Sequence, residues 1–474
     1  MNNICHVLSI VDDVSPEDVA MMQALYSRSP ESSSVHLEKV RKSGSGKFMS
    51  SYYVGYGHKS IADCGSTTVF IENVSLLAAK AIQDWPLYCG QETSTRFINM
   101  AERDIIDPVG SSESKLILSN WMGFYTKNQT RVADTVRFRH PIREGEDPKV
   151  YEKAVGARVF DIMRGFLPAG ITTQLSWHSN LRQAADHLVG LMNHPSLEIA
   201  NLAANISSLL HNKYPSSGFM AHVAGVSGIG GENAATRAAW DKEVAKYAYA
   251  PPIYPFPKSR THDIDYNKVL LTVVGSVFDE SRWHSNIINS RPKGCVLPHF
   301  MTDFGQLSWS FFLDFGSFRD IQRHRNGVCR MPLLTTQHGF EPWYLEQLDD
   351  DLHDEANQLL NEQELRIEEV TKDPVLRQYY TALGYRVQTD VTYGLPAAIY
   401  VMEIRSGKSV HPTLRKKVHG MIKTFQDRLP HIKLHVDLDP SDWDVRRGTQ
   451  TITCKKQQEE KVRNDPELPG SSDR

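Results

Sequence analysis

Two stretches of sequence, GSTTVFI at residues 65–71 and GQLSWSF at residues 305–311, each begin with glycine. Each is followed by the dipeptide Ile-Gln, at 82–83 and at 321–322 respectively. Each opening is typical of a strand that runs into a helix. An internal repeat of this kind predicts that the chain contains one structural unit twice.

Two further landmarks recur in the same order. Leu-Pro-Ala occurs at 167–169 and again at 395–397, and His-Pro occurs at 194–195 and at 411–412, where each opens a helical pattern. The spacing between partners shrinks along the chain, which indicates shorter loops in the second copy. We therefore predict an α+β fold of two tandem copies, each with a mixed or antiparallel sheet and helices. Two unrelated domains are the alternative.

Prolines and polar residues mark the boundaries between the predicted copies. Residues 249–257 contain four prolines, which disfavour both a helix interior and a central strand. The last residues are almost entirely polar, so we expect them to stay unstructured. The predicted segments are a first copy at 1–250, a linker at 251–265, a second copy at 266–454 and a tail at 455–474.

The first helix is signalled by its opening residues. Ser15 can cap a helix and Pro16 suits its first position, so we predict a helix near 15–28. The polar insertions near 103–150 and 216–247 carry no motif that indicates a role.

The composition excludes several classes of protein. Of 474 residues, 53 are Lys or Arg and 56 are Asp or Glu, so the net charge of −3 predicts no strong attraction to nucleic acid or membrane. No apolar stretch approaches the roughly 20 residues needed to cross a bilayer. Six cysteines without a Cys-x-x-Cys pair predict reduced thiols in a cytoplasmic protein. The motifs of common hydrolases, kinases and metal sites do not occur.

A basic run in the second copy is the first candidate for chemistry. The segment RDIQRHR at 319–325 places three arginines and a histidine within seven positions. Arginine matches the oxygens of a phosphate with a planar fork of donors, so the run predicts an anion site. A solvated basic surface is the alternative.

Polar groups in the first copy add to this picture. The segment QETSTR at 91–96 offers alternating donors and acceptors that would suit a phosphate and a sugar if the chain were extended there. Arg164, Asn180 and Arg182 flank an apolar stretch, and Arg405 follows Glu403 in the second copy. Ordinary surface salt bridges are the alternative for these residues.

Together these residues resemble the flavin-dependent thymidylate synthase family. Members carry a Gly-His pair, here Gly57-His58, before an apolar strand, followed by Arg-His-Arg, seven further residues and a serine. The second copy keeps the tripeptide at 323–325 but has Leu333 at the serine position. The first copy keeps the nucleotide segment at 91–96 but has Asp-Trp-Pro at 84–86 in place of the tripeptide. The resemblance thus implies that each copy has lost what the other retains.

Later positions repeat this complementarity. Arg164, Asn180 and Arg182 resemble the family's phosphate and flavin contacts, and the second copy is expected to be too short to supply an equivalent of the Asn-Arg pair. The segment Glu-Ile-Arg at 403–405 resembles the family's Glu-Leu-Arg, whose arginine reaches the pyrimidine of a neighbouring subunit's substrate. Its expected counterpart in the first copy is Leu191.

A histidine of the second copy completes the resemblance. His299 resembles a flavin-side histidine, and its expected counterpart in the first copy is Cys64.

The resemblance implies reductive methylation of dUMP to dTMP with methylenetetrahydrofolate as carbon donor, FAD as cofactor and NADPH as reductant. The implied catalytic residues are Arg405 and Ser94. The implied substrate contacts are Gln91, Glu92, Ser94, Arg96, Arg164 and Arg405. The implied cofactor contacts are Arg323, His324, Arg325, Asn180, Arg182, His299 and His58. No metal is implied.

The resemblance also implies an assembly. Family members are homotetramers, so two duplicated chains would form a homodimer that acts as a pseudo-tetramer with a composite site. Two alternatives remain open at this point: a nucleotide-binding protein that has lost catalysis, and a flavoenzyme that alkylates another pyrimidine nucleotide. A nucleic-acid binder is disfavoured by the charge balance.

Overall fold

The computed structural model describes residues 13–55, 59–217, 234–249 and 264–441. His58, most of the predicted linker, the predicted tail and half of the insertion near 216–247 lie outside the described residues.

The chain forms two compact units that alternate along the sequence. Unit 1 consists of Met1–Thr93 and Thr172–Ile253, and unit 2 consists of Ser94–Ile171 and Tyr254–Arg474. Residues 94–171 are therefore part of unit 2, although they lie within the predicted first copy. The predicted boundaries divide the chain into two repeated copies, whereas the compact units are defined by packing. The units therefore do not test these boundaries, which stay a prediction.

Helices make up most of the described structure. The α-helices are α1 Pro16–Tyr26, α2 Ser33–Ser43, α3 Gly46–Phe48, α4 Leu76–Gln83, α5 Ser112–Lys127, α6 Gln129–Arg139, α7 Pro148–Met163, α8 Leu181–Leu191, α9 Leu197–Lys213, α10 Ala234–Ala248, α11 Val277–Trp283, α12 Ser285–Asn289, α13 Phe315–Gln322, α14 Pro342–Glu346, α15 Asp350–Val370, α16 Pro374–Arg377, α17 Leu395–Arg405 and α18 Pro412–Arg428. Short 3₁₀ segments are Lys59–Cys64, Arg164–Phe166, His299–Phe304 and Gln378–Tyr380, and a π-helical segment is Met49–Gly55.

In the part of the chain that the structure describes, the strands form one antiparallel sheet in each unit. They are β1 Ser66–Ser75, β2 Thr172–Asn180, β3 Leu270–Gly275, β4 Gly305–Asp314, β5 Gly327–Arg330 and β6 Arg386–Gly394. In unit 1, β1 pairs with β2; in unit 2 the strand order is β3-β4-β6-β5. The register of the β1–β2 pair shifts between Glu72 and Val74, where Asn73 has a φ of 57°. Asparagine tolerates this left-handed conformation better than most residues, which suits it to a bulge.

The residues at the helix starts explain why the chain turns from strand to helix. Ser15 Oγ accepts a hydrogen bond from the Asp18 amide at 3.2 Å, which confirms the predicted first helix. Ser75 caps α4, Asn180 caps α8 and Asp314 caps α13 in the same manner. Such caps satisfy amides that the first helical turn leaves without partners.

The predicted duplication of an α+β unit is confirmed by the order of the elements. A 3₁₀ segment, a strand and a helix follow one another at Lys59–Gln83 and again at His299–Gln322. A second 3₁₀ segment, a strand and two helices follow at Arg164–Lys213 and again at Gln378–Arg428. The same succession in both halves is what a repeated unit requires.

The two copies meet inside unit 2 through backbone hydrogen bonds that occur in equivalent pairs. The Ala169 amide donates to the Thr381 carbonyl oxygen, and the Leu383 amide donates to the Leu167 carbonyl oxygen, both at 2.9 Å. Residues 167 and 169 stand before β2 at the same positions at which 381 and 383 stand before β6. Reciprocal contacts of this kind are produced by a twofold axis between two copies.

The predicted equivalence of the Leu-Pro-Ala tripeptides at 167–169 and 395–397 is wrong. Residues 167–169 precede strand β2, whereas residues 395–397 open helix α17 after strand β6. The counterpart of 167–169 is 381–383. A tripeptide of common residues can match by chance, while the order of strands and helices is far more specific.

Gly165 lies where a side chain would strike an aromatic ring of the core. A methyl group there would lie 2.7–2.9 Å from ring atoms of Tyr344, which is fully buried. We expect Gly165→Ala to lower the free energy of unfolding by about 1–3 kcal/mol, the usual cost of overpacking. Gly156→Ala is the matched control, because its methyl group would meet nothing within 4 Å; it should stabilise helix α7 by about 0.5–1 kcal/mol. Urea unfolding measures both, and two variants of equal stability would contradict the contact.

Two further observations concern the described part of the chain. None of its helices is long and apolar enough to cross a membrane. Within the same residues, His, Cys, Asp and Glu side chains form no group of three or more that could hold a metal ion.

Candidate functional site

The C-terminal end of helix α13 brings several charged residues together in unit 2. Asp314 fixes the start of the helix by accepting a hydrogen bond from the Ser317 amide at 2.8 Å. The apolar side of the helix is buried, so its orientation is set by packing. Asp320 lies in its last turn, and Arg323 and His324 follow directly after it.

Arg164 lies against this helix from the interior of the unit. Its side chain is 1% exposed, Nη2 donates to Ser317 Oγ at 2.9 Å and Nη1 donates to Asp320 Oδ2 at 3.3 Å. Asp314 Oδ2 lies 4.0 Å from Nη2. Burial by itself would lower the pKa of Arg164, but Tyr344, Asp320 and Asp314 together raise it above its ordinary value. The residue predicted to contact substrate is thus engaged within the fold.

Arg405 is the last residue of α17 and reaches the end of α13. Its Nε donates to His324 Nε2 at 2.7 Å, and its Nη2 donates to the Asp320 carbonyl oxygen at 3.0 Å. Burial lowers the pKa of Arg405, and nearby Arg323 and Arg96 lower it further, while Asp320 opposes them. Positive charge is therefore crowded around this guanidinium.

Arg96 approaches the same region from the polar segment of the first copy. Its Nε donates to Asp161 Oδ1 at 2.7 Å, and its Nη2 lies within 3.3 Å of the Ser409 carbonyl oxygen. Ser94 Oγ accepts a hydrogen bond from the Arg96 amide at 3.2 Å. The chain turns at this point, since the Phe97 amide donates to the Ser94 carbonyl oxygen. The extended conformation considered for the whole segment is therefore found only in its first half.

Asp320 is the centre of these contacts, and we call the set around it the Asp320 cluster: Arg96, Asp161, Arg164, Asp314, Asp320, Arg323, His324, Arg325 and Arg405. Burial alone would raise the pKa of Asp320, but Arg164, Arg96, Arg323 and Arg405 together hold it below its usual range. Five arginines stand against three aspartates in this cluster. The surplus of positive charge suits an anion such as a phosphate.

A buried ion pair supports the helix that carries Arg405. Glu403 accepts hydrogen bonds from both terminal nitrogens of Arg291, one of them at 3.0 Å, and both side chains are at most 9% exposed. The His435 amide also donates to Glu403 Oε1 at 2.9 Å. The glutamate of the Glu-Ile-Arg segment thus fixes α17 two residues before its arginine.

Two of the predicted substrate contacts lie in unit 1. Gln91 and Glu92 line a cavity of about 310 Å³ beside strands β1 and β2. Glu92 Oε2 accepts a hydrogen bond from Gln83 Nε2 at 2.7 Å. The other residues that line this cavity are Phe70, Ile71, Glu72, Thr93, Gln174, Leu175 and Ser176.

The remaining predicted cofactor contacts are spread over both units. In unit 1, Asn180 Oδ1 caps α8 by accepting from the Gln183 amide at 2.8 Å. Arg182, also in unit 1, is paired with Asp63 at 2.7 Å and with Asp186 at 3.3 Å. In unit 2, His299 is exposed at the start of a 3₁₀ segment. His58 lies outside the described residues.

Unit 2 therefore brings together five of the predicted site residues. They are Arg96, Arg164, Arg323, His324 and Arg405, with Arg325 adjoining in sequence. Unit 1 holds Gln91, Glu92, Asn180 and Arg182. The roles predicted for all of these residues stay predictions.

The structure changes the predicted counterpart of the Asn-Arg pair. The second copy is not too short at this point, because β6 ends at Gly394 as β2 ends at Asn180. Gly394 and Pro396 therefore stand at the positions of Asn180 and Arg182. The polar groups were replaced rather than deleted. Helices α8 and α17 end at Leu191 and at Arg405, as predicted.

The expected counterpart of His299 is wrong. His299 opens its 3₁₀ segment, whereas Cys64 closes the equivalent segment of the first copy. Lys59 stands at the position of His299, and Phe304 stands at the position of Cys64. The error arose because the two segments differ in residue type throughout, so only their place before the strand aligns them.

Sequence reasoning missed the acidic residues of the site. Asp320 stood inside the basic run but received no role, and Asp161 and Asp314 were not singled out. A lone acid between arginines, as Asp320 is between Arg319 and Arg323, was the available signal. Asp161 and Asp314 gave none, because their arginine partners lie far away in the sequence.

Comparison with known proteins agrees with this architecture. Residues 9–216 match the family described as thymidylate synthase complementing protein. A UPF0159 protein of Chlamydia pneumoniae is 24% identical over 447 residues, which covers 84% of this chain and 81% of that protein. A UPF0159 protein of Thermoplasma acidophilum is 23% identical over 446 residues, covering 81% of this chain and 87% of its own length. The similarity to these proteins thus extends through both copies.

The matched region contains the 3₁₀ segments and strands of the first copy and the helices α1 to α9, together with Arg96 and Arg164 of the Asp320 cluster. Through residues 9–216, the chain is therefore similar to the thymidylate synthase complementing protein family.

Proposed function

We propose that this protein is a flavin-dependent thymidylate synthase that converts dUMP to dTMP by reductive methylation. Methylenetetrahydrofolate would supply the carbon, NADPH the reducing equivalents and FAD the cofactor. The observation that supports this proposal most is the Asp320 cluster. It joins Arg96 and Arg164 of the first copy with Arg323 and Arg405 of the second copy around one carboxylate.

The nucleotide phosphate is the ligand that the cluster suits best. Phosphate carries close to two negative charges at neutral pH and presents several acceptor oxygens, which match the surplus of guanidinium groups. Arg96 lies beside Ser94, whose hydroxyl can donate to a second phosphate oxygen. Arg164 is buried and paired with Asp320, so we assign it the support of this site rather than direct contact.

The donor set also fits a flavin nucleotide. Arg323 is exposed at the end of α13 and Arg325 is half-buried two residues later, so their guanidinium groups can reach the phosphates of FAD. Bound FAD, once reduced by NADPH, would supply the hydride, which no side chain can provide.

Arg405 is assigned the pyrimidine. Its Nη1 makes no hydrogen bond to any residue that the structure describes, whereas Nε and Nη2 are both engaged. A guanidinium held along one edge can stabilise negative charge that develops on a pyrimidine carbonyl oxygen during the reaction. This role requires no protein nucleophile.

One functional site per chain follows from the repeat. The positions equivalent to Arg164, Arg405 and Arg323 in the other copy are Gln378, Leu191 and Asp84, respectively. None of these three side chains carries the positive charge that would bind an anion. A homodimer would therefore resemble a tetramer that has retained half of its sites.

Titration calorimetry with dUMP tests the stoichiometry. We expect one nucleotide to bind per chain, and two per chain would contradict the composite site. Absorbance of the purified protein tests for flavin, and methylenetetrahydrofolate labelled in its transferred carbon tests for dTMP formation with NADPH.

A nucleotide-binding protein without catalysis is the second candidate. The observation that favours it is that Arg96, Arg164 and Arg405 are all engaged in internal contacts. Binding of dUMP without flavin absorbance and without labelled dTMP would support this alternative. Transfer of label to another pyrimidine nucleotide would instead indicate a related flavoenzyme.

A further inference from the structure

Arg405 is held by two acceptors of different kinds. His324 Nε2 accepts from Nε at 2.7 Å, and the Asp320 carbonyl oxygen accepts from Nη2 at 3.0 Å. Asp320 lies in the last turn of α13 and His324 follows two residues after that helix, and together they fix the edge of the guanidinium that carries Nε and Nη2. The Nη1 side is left facing away from α13.

The contact defines the state of the imidazole. An arginine can only donate, so His324 Nε2 must carry a lone pair and the ring proton must sit on Nδ1. The charged groups that face this ring are Arg405 from α17, Asp320 from α13 and the flanking Arg323 and Arg325. Tyr400 of α17 presents its ring at 6.2 Å. Burial, followed by Arg405, lowers the pKa of His324 to about 3, in agreement with a neutral ring.

We propose that His324 is a positioning residue whose neutral Nε2 holds the Arg405 guanidinium, so that the Nη1 side of Arg405 is presented to the pyrimidine. The pyrimidine ligand in this assignment rests on the proposed function. The assignment differs from the flavin contact that the family resemblance implies for His324. A protonated imidazole would repel Arg405, and an imidazole with its proton on Nε2 would offer Arg405 a second donor in place of an acceptor. In either state the arginine would lose its fixed orientation.

The state of His324 can be measured without any ligand. We expect ¹⁵N-histidine NMR of the full-length protein at pH 7 to show His324 as the neutral Nδ1–H tautomer, assigned by its loss in His324→Gln. The Nε2 resonance should shift in Arg405→Ala, because its donor is removed. An Nε2–H tautomer or a charged ring at pH 7 would overturn the proposal. An Nε2 resonance unchanged in Arg405→Ala would do the same.

Two substitutions separate positioning from a merely structural role. His324→Gln retains an acceptor for Arg405 and is expected to keep dUMP turnover within about threefold of the wild type. His324→Ala removes the acceptor and should lower kcat about tenfold, the loss expected for one charge-assisted hydrogen bond, with a smaller change in KM. Equal losses in the two variants, or no loss in either, would overturn positioning. Failure of the proposed function would show separately as an inactive wild type, and the NMR result alone would then decide whether His324 holds Arg405.

Discussion

Arg164→Met is expected to lower the free energy of unfolding by about 3–5 kcal/mol, the range found when one partner is removed from a buried ion pair. Methionine retains an unbranched apolar stem, so the loss comes mainly from the guanidinium. Ser317 Oγ and Asp320 Oδ2 would lose their donor, at 2.9 and 3.3 Å in the structure. Asp314 would lose the cation that opposes the effect of its burial, which already raises its pKa. Guanidinium chloride unfolding at pH 7 measures the change.

Arg366→Met is the matched control for this prediction. Arg366 pairs with Glu113 at 2.6 Å, also within unit 2, but both side chains are more than a third exposed. Such pairs contribute about 0–1 kcal/mol, so this variant should stay close to the wild type. A second variant, Arg164→Met combined with Asp314→Asn, should recover part of the loss because it removes one uncompensated carboxylate. Equal effects of Arg164→Met and Arg366→Met would show that the buried pair carries no special weight.

Much of the fold could be predicted from the sequence because its signals are local. Ser15 and Pro16 fix the start of α1 through one cap, and the strand-to-helix junctions at Ser75 and Asp314 use the same device. The repeat is visible since both copies preserve this succession. The misplaced Leu-Pro-Ala pair shows the limit: three residues match by chance, and only the order of elements reveals that 381–383 is the true counterpart of 167–169.

The site could be predicted only in part because it is assembled over long distances in the sequence. Arg405 and the arginines of the basic run were found from residue type and resemblance. The partnership of Arg164 with Asp320 was not, since 156 residues separate them and nothing local marks either as the other's partner. The division of the segment 91–96 between two units was equally hidden. Compact units are set by packing, which a short polar segment does not encode.

Arg405→Ala is expected to lower kcat for dUMP methylation about 100- to 1000-fold, the effect of removing one preorganised donor from a site of developing charge. KM for dUMP should change much less, because the phosphate contact proposed for Arg96 remains. Arg405→Lys keeps a positive charge but loses the planar fork, and with it the paired contacts to His324 and the Asp320 carbonyl oxygen. We expect its kcat to lie closer to the alanine variant than to the wild type.

Steady-state kinetics at saturating dUMP, with thermal unfolding of each variant alongside, measures this effect. Arg366→Ala serves as control, since its pair with Glu113 lies outside the Asp320 cluster and its turnover should match the wild type. If Arg405→Ala raised KM and left kcat intact, Arg405 would bind the nucleotide equally in the ground and transition states. Full activity in that variant would remove Arg405 from the mechanism, and the two copies would then not be joined in one catalytic site through this residue.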